Sequence, residues 1–223
     1  MLKISGLSKR YFTADGEITA LDEVSLTVGK GEFAAIVGKS GSGKTTLLNM
    51  IAGLDRPDRG SILFRGADIV KMSDRQSSAL RRSEIGVIYQ FYNLIPELTV
   101  VENITLPLEL DERPVDGEWL AEILHTVQLS GRENAYPAAL SGGQQQRAAI
   151  ARAVIGKPSL ILADEPTGNL DGENSREVMK LLQTMNRDHG ITVLIVTHSD
   201  EAAEAAGRVI TVSDGRILSD RRQ

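Results

Sequence analysis

The chain has 223 residues, 41% hydrophobic and 25% charged, values ordinary for a globular protein with a sizeable buried core. Its net charge of −5 and pI near 5.3 supply no global basic field, so no nucleic-acid partner is expected, although a local patch around Arg81-Arg82 is compatible with that balance. There is no cysteine, which excludes disulfides and thiolate metal sites and fits a reducing cytosol; the start, Met1 to Gly6, resembles no signal peptide, and no apolar run approaches the ~20 residues needed to cross a bilayer.

In chain order, residues 21–28 and 61–64 carry alternating or β-branched residues followed by glycine-containing turns and predict an antiparallel layer. Residues 33–37 (Phe-Ala-Ala-Ile-Val) read as a central strand, with a helix from about 44 to 52 stopping near Gly53. The stretch 100–156 is mostly helical, including 119–128 and 144–154. Residues 159–163 and 192–196 are short, continuously apolar strands separated by a helix over about 173–189. Strands of that kind are expected where both sheet faces are covered, which predicts an α/β fold with a parallel core sheet, an antiparallel β layer and an inserted α-helical subdomain. The expected organisation is one domain over 1–223, with a core lobe of about 1–90 and 158–223 and a helical subdomain of about 91–157.

Between the first core strand and its helix lies Gly38-Lys39-Ser40-Gly41-Ser42-Gly43-Lys44-Thr45, a Gly-x-x-x-x-Gly-Lys-Thr phosphate loop. The glycines let the backbone turn tightly and bring amide hydrogens to phosphate oxygens, and the helix that follows adds its positive end. Lys44 is expected to reach the β- and γ-phosphates and Thr45 to ligate magnesium, with Thr46 completing the nucleotide contacts. These features predict the P-loop NTPase (RecA-like) fold class, with ATP and Mg2+ as the expected cofactors.

Asp164-Glu165 closes the strand 159–163. Asp164 is suited to hold magnesium, directly or through water, and Glu165 to accept a proton from the attacking water or orient it. His198 follows the next strand and should emerge at the same sheet edge, within reach of a γ-phosphate. Gln90, after Gly86-Val87-Ile88-Tyr89, has a similar position and is a candidate for contact with the metal or the water. A second phosphate-handling sequence, Leu140-Ser141-Gly142-Gly143-Gln144, ends in a Gly-Gly pair that opens a helix. Together the two segments imply a nucleotide gripped from two sides by two copies of the chain.

This set resembles the nucleotide-binding subunit of ABC transporters over essentially the whole chain. Ser141, Gly142, Gly143 and Gln144 are similar to that family's signature motif. Gln90 is similar to the Q-loop glutamine, His198 to the switch histidine, and Asn169-Leu170-Asp171 to the D-loop that crosses the dimer interface. Tyr11 resembles the aromatic residue that stacks on adenine, a role for which Phe12 competes. The resemblance implies a head-to-tail ATP-sandwich dimer, ATP hydrolysis, and a permease partner at the cytoplasmic face of the inner membrane. Phe91-Tyr92-Asn93-Leu94-Ile95-Pro96, Leu98-Thr99-Val100 and 163–171 are similar to the lipoprotein-release, macrolide-export and antimicrobial-peptide-resistance group, which points to export or force transmission.

The permease is expected near Gln90 to Leu98, with Phe91, Leu94 and Ile95 on its docking surface and Leu106 and Leu108 packing the helical lobe. Two rival readings remain at this point: a soluble ABC-type ATPase acting on nucleic acid or ribosomes, and a P-loop kinase, which leaves Ser141 to Gln144 without a use.

Overall fold

The computed structural model describes residues 1–14 and 16–223. Its centre is a six-stranded sheet in the order β10-β9-β3-β8-β7-β6, where β3 is Phe33–Val37, β6 Ile85–Ile88, β7 Leu160–Asp164, β8 Thr192–Thr197, β9 Arg208–Ser213 and β10 Arg216–Arg222. Strands β9, β3, β8, β7 and β6 run parallel, and β10 is antiparallel to β9. The three expected core strands are therefore present, within one residue at each end.

Period-2 alternation distributes the core strands between two hydrophobic clusters. Phe33, Ala35, Ile161, Ala163, Val193 and Ile195 face one side, where they meet α3 (Val100–Glu109), α4 (Gly117–Thr126), α5 (Gly142–Val154) and α6 (Gly172–His189). Ala34, Ile36, Leu160, Leu162, Leu194 and Val196 face the other, against α1 (Lys44–Ile51) and a second sheet. That sheet is antiparallel, in the order β2-β1-β4-β5, with β1 Leu2–Thr13, β2 Gly16–Val28, β4 Arg59–Phe64 and β5 Ala67–Asp68.

Sequence reading found β2 and β4 and missed β1, β9 and β10. In β1 the alternation of buried Leu2 and Ile4 is broken at Gly6-Leu7, where the register to both neighbours shifts; such bulges erase a period-2 signal. The short α2 (Asp74–Ser83) was also missed. It has a low apolar content and is defined by its capping box, in which Ser73 Oγ accepts from Gln76 N while Gln76 Oε1 accepts from Ser73 N. A seventh helix, α7 (Asp200–Glu204), follows β8.

The topology matters for function because β3, β6, β7 and β8 all end at one edge. In open α/β sheets ligands bind outside the carboxyl ends of the strands. The loops leaving those four ends carry residues 38–43, Gln90, Glu165 and His198.

Candidate functional site

At that edge lies a cavity of about 750 Å3 lined by Ser40, Gly41, Gly43, Lys44, Thr45, Thr46, Gln90, Glu165 and His198, with Tyr11, Ile18 and Ala20 on its far wall. Residues from four strand ends and from the antiparallel sheet thus meet in one place. The loop that forms its floor is shaped by steric exclusion. A Cβ on Gly43 would collide with the Ala20 carbonyl of β2, and one on Gly38 with the Val212 carbonyl of β9. Gly43 also has φ +99° as the residue before α1, a conformation glycine adopts without strain.

Lys44, 7% exposed, donates from Nζ to the carbonyls of Gly38 and Lys39, both at 2.8 Å, which holds its ammonium against the loop. Ser42 N donates to Lys39 O at 3.2 Å, and Ser42 Oγ is buried without a hydrogen-bond partner. Gly38, Lys39 and Ser42 shape the loop and do not line the cavity; Ser40, Gly41, Gly43, Lys44, Thr45 and Thr46 do.

Thr45 Oγ1, in the first turn of α1, donates to Asp164 Oδ1 at 3.1 Å. Burial pushes the Asp164 carboxyl up; the Thr45 hydroxyl acts against that, the adjacent Glu165 adds to it, and Lys44 opposes it. A desolvated carboxylate paired with a hydroxyl is a set of hard oxygen donors of the kind that suits a small divalent cation. Gln90 stands in the same cavity. Its Nε2 donates to Asn169 Oδ1 at 3.2 Å while Asn169 Nδ2 returns a bond to Gln90 O at 3.0 Å.

Glu165 has φ +47°, in the left-handed region, and its side chain is 17% exposed. The carboxylate is aimed by His198 twice: Nδ1 lies 2.9 Å from Oε1, and the backbone N donates to Oε2 at 3.3 Å. The imidazole itself is largely open to solvent.

On the far wall, Tyr11 pairs across β1 and β2 with Ile18, and its hydroxyl donates to Asp55 Oδ2 at 2.6 Å. Burial and the Asp55 carboxylate push its phenol up. Phe12, the competing aromatic, is 82% exposed and does not line the cavity, since adjacent strand residues point to opposite faces. Ile18, Ala20 and Asp55 escaped sequence reasoning. Their part depends on strand register and on a long-range bond to Tyr11, neither of which leaves a local signal.

Ser141, Gly142, Gly143 and Gln144 do not line this cavity. Ser141 is the N-cap of α5, its Oγ accepting from Gln144 N at 3.3 Å while Gln144 Oε1 accepts from Ser141 N at 3.0 Å. The helix begins at Gly142, two residues before the expected start. Ser141 and Gly142 are exposed, whereas Gly143 is buried where a Cβ would strike Asn174 Oδ1.

A second cavity, of about 380 Å3, lies between α2, α3, α5 and the end of β6. Leu106, Pro107 and Leu110 form its apolar wall, and Arg81, Arg82, Tyr89 and Arg152 its polar one. Arg82 is paired with Asp111, whereas Arg81 donates to the Ala52 and Gly53 carbonyls and Arg152 to those of Tyr92 and Asn93. Burial pulls the Arg152 guanidinium down. Phe91 is 73% exposed and Ile95 38%, as expected of a contact surface, but Leu94 packs half-buried against the helical core. Leu108 is buried in that core, and Leu106 faces the groove instead. No helix among the described residues is long and apolar enough to cross a membrane.

Comparison with known proteins gives a consistent picture. The ABC transporter family model matches residues 21–168. The lipoprotein-releasing system ATP-binding protein LolD of Geobacter metallireducens is 41% identical over 222 residues, covering 99% of each chain. Two solved structures of MJ0796 superpose over the whole chain and 98% of theirs. One is a dimeric bacterial ABC transporter cassette (39% identity, TM-score 0.92), the other a dimeric post-hydrolysis state bound to ADP and Pi (38%, 0.91). CbiO1 of Clostridium perfringens, part of the ABC transporter complex CbiONQ, matches at 29% identity and TM-score 0.87, over 99% of this chain and 88% of its own.

Proposed function

This chain belongs to the ABC transporter family, as an ATP-binding cassette with transport-coupled ATPase activity, and from that premise we propose which residues do the work and what they drive. In this reading two copies close head to tail on ATP. Each nucleotide lies between the phosphate loop of one copy and Ser141 to Gln144 of the other. The observation that carries it is the division of the parts: Lys44, Thr45, Gln90, Glu165 and His198 share one cavity, while the second phosphate-handling segment lies outside it on an exposed helix start.

Within each site the loop amides and Lys44 hold the phosphates, Tyr11 packs on the base, and Gln90 orients water or metal from the side. Thr45 Oγ1 and the Asp164 carboxylate would hold magnesium, which would supply neutralisation of phosphate charge there. Glu165 orients the attacking water and takes up its proton, and His198 fixes that carboxylate by the contacts at 2.9 and 3.3 Å. Because ATP binds the closed pair better than the open one, each cycle of closure and reopening delivers work to whatever is attached.

The attached partner is a permease at the cytoplasmic face of the inner membrane, docked over Phe91, Ile95 and the groove of Leu106, Pro107 and Leu110. Arg81 and Arg152, which have no carboxylate partner among the described residues, favour a short amphipathic helix carrying an acidic side chain. The likeness to LolD, a lipoprotein-releasing system ATP-binding protein, supports the export or force-transmission type.

Glu165→Gln tests the dimer reading. The variant is expected to bind ATP, lose hydrolysis by about 10³-fold and run as a dimer in light scattering when ATP is present. A monomer under those conditions, alone and with membranes, overturns it. Arg81→Glu should leave ATP binding intact and reduce recovery of the protein with the membrane fraction. Recovery with nucleic acid instead would favour the soluble ATPase class.

A further inference from the structure

Beyond the residues that line the cavity, one buried side chain on α5 reaches the backbone beside Glu165 from behind. Gln146 is 0% exposed, and its Nε2 donates to the Pro166 carbonyl at 2.7 Å, a bond buried at both ends. Its Oε1 is also buried and has no hydrogen-bond partner. Packing alone does not call for glutamine here. Methionine fills a similar volume and removes the unpaired side-chain oxygen; what it cannot do is donate to the Pro166 carbonyl.

Pro166 is the residue after Glu165, whose left-handed backbone must be held from outside. Two tethers come from the core and the turn itself: Glu165 N donates to Val196 O at 2.9 Å, and Gly168 N to Glu165 O at 3.0 Å. Proline has no N–H, so the Pro166 unit offers only its carbonyl as an anchor point. Gln146 takes that point from α5, across the fold and 20 residues away in sequence.

We propose that Gln146 is a positioning residue for hydrolysis: through the Pro166 carbonyl it holds the Glu165 carboxylate in register with His198, and it ties that register to the helix that begins at Ser141. The consequence rests on the head-to-tail reading above. In such a pair α5 of one copy faces the nucleotide held by the other, while Glu165 acts on its own. Gln146 then makes the aim of Glu165 at one site sensitive to engagement of α5 at the second.

The test is Gln146→Met, which removes the donor, keeps the volume and also removes the unpaired oxygen. Its global stability should change little, and affinity for a non-hydrolysable ATP analogue should stay within about twofold of the parent. The kcat at saturating ATP should fall about tenfold or more. In the nucleotide-free protein, amide exchange at Glu165 and Gly168 should speed up by at least about tenfold while Ile195 in the neighbouring strand keeps its rate. Parental kcat together with parental exchange at Glu165 and Gly168 overturns the proposal. So does a loss of kcat accompanied by uniformly faster exchange, the result of a packing defect.

If Gln146→Met does not fold, Gln146→Glu decides. Burial raises its carboxyl, so that the protonated group donates to Pro166 O at the acid end of the range and ionisation removes the bond as pH rises. Its kcat and the exchange of the Glu165 amide, corrected for intrinsic rates, should then change over the same pH range; independence of the two overturns the assignment. The exchange measurements need no nucleotide and no dimer. A monomeric Glu165→Gln would therefore remove the link to the second site without touching them.

Discussion

The phosphate-loop edge and the start of α5 both present helix N-termini to solvent, yet they are built differently. At the first, the buried Lys44 faces one cavity together with Gln90, Glu165 and His198 from several strand ends, with the unpartnered Ser42 hydroxyl and the desolvated Asp164 carboxylate beside it. At the second, the serine and glutamine satisfy each other in a capping box, and neither lines that cavity. The first half is organised around a ligand before one arrives. The second is a finished helix end that waits for a surface. In the head-to-tail reading proposed above, one polypeptide carries two halves of a site that it does not close on itself, and function should depend on which copy supplies which half.

The sharpest way to break that comparison is to damage the halves separately. Lys44→Ala removes the buried ammonium from the loop, and ATP affinity should fall by about 100-fold or more in a filter or fluorescence assay. Gly143→Asp puts a side chain where a Cβ already meets Asn174, so it should tilt the start of α5 and abolish ATP-dependent dimers while single copies still bind ATP. Each variant alone should be inactive. Mixed, they should recover up to about a quarter of the parental rate, because the mixed dimer has one site built from two undamaged halves. Absence of recovery, with both variants folded and dimers of mixed composition present, would mean that each copy works alone.

What the sequence revealed follows the same division. Phe33 to Val37, Leu160 to Asp164 and Thr192 to Thr197 were legible because continuous apolar runs, bounded by turns, leave few alternatives. The loop 38–45, Asp164 and Glu165 were legible because chemistry fixes residue type and spacing beside those strands. The hidden parts depend on long-range geometry. Ile18 joins the cavity through its register with Tyr11, Asp55 holds Tyr11 through a bond spanning 44 residues, and Gln146 reaches the Pro166 carbonyl behind Glu165 through one spanning 20. Leu94 shows the reverse error: an apolar residue in an exposed-looking segment was read as contact surface, whereas the turn at Tyr92 and Asn93, both at positive φ, carries it back onto the helical core.

The smallest expected effect concerns a contact that belongs to neither half. Arg208, 7% exposed at the start of β9, binds Asp220 of β10 through both guanidinium ends, at 2.7 and 2.6 Å, and also Glu32 at 3.0 Å. Its hydrogen bonds hold the Asp220 carboxyl below the usual range. A carboxyl depressed on folding contributes stability above its unfolded pKa and loses it as pH falls through the lower folded value. Asp220→Asn should therefore lower the melting midpoint of the nucleotide-free protein by about 2–4 °C at neutral pH, and the gap to the parent should narrow in acid below about pH 4. Since Asp220 touches neither the cavity nor α5, kcat per folded molecule should stay at the parental value. A fall in kcat would show that the β9–β10 edge, whose Val212 carbonyl abuts Gly38, takes part in shaping the phosphate loop, and the boundary of the first half would have to move outward to include it.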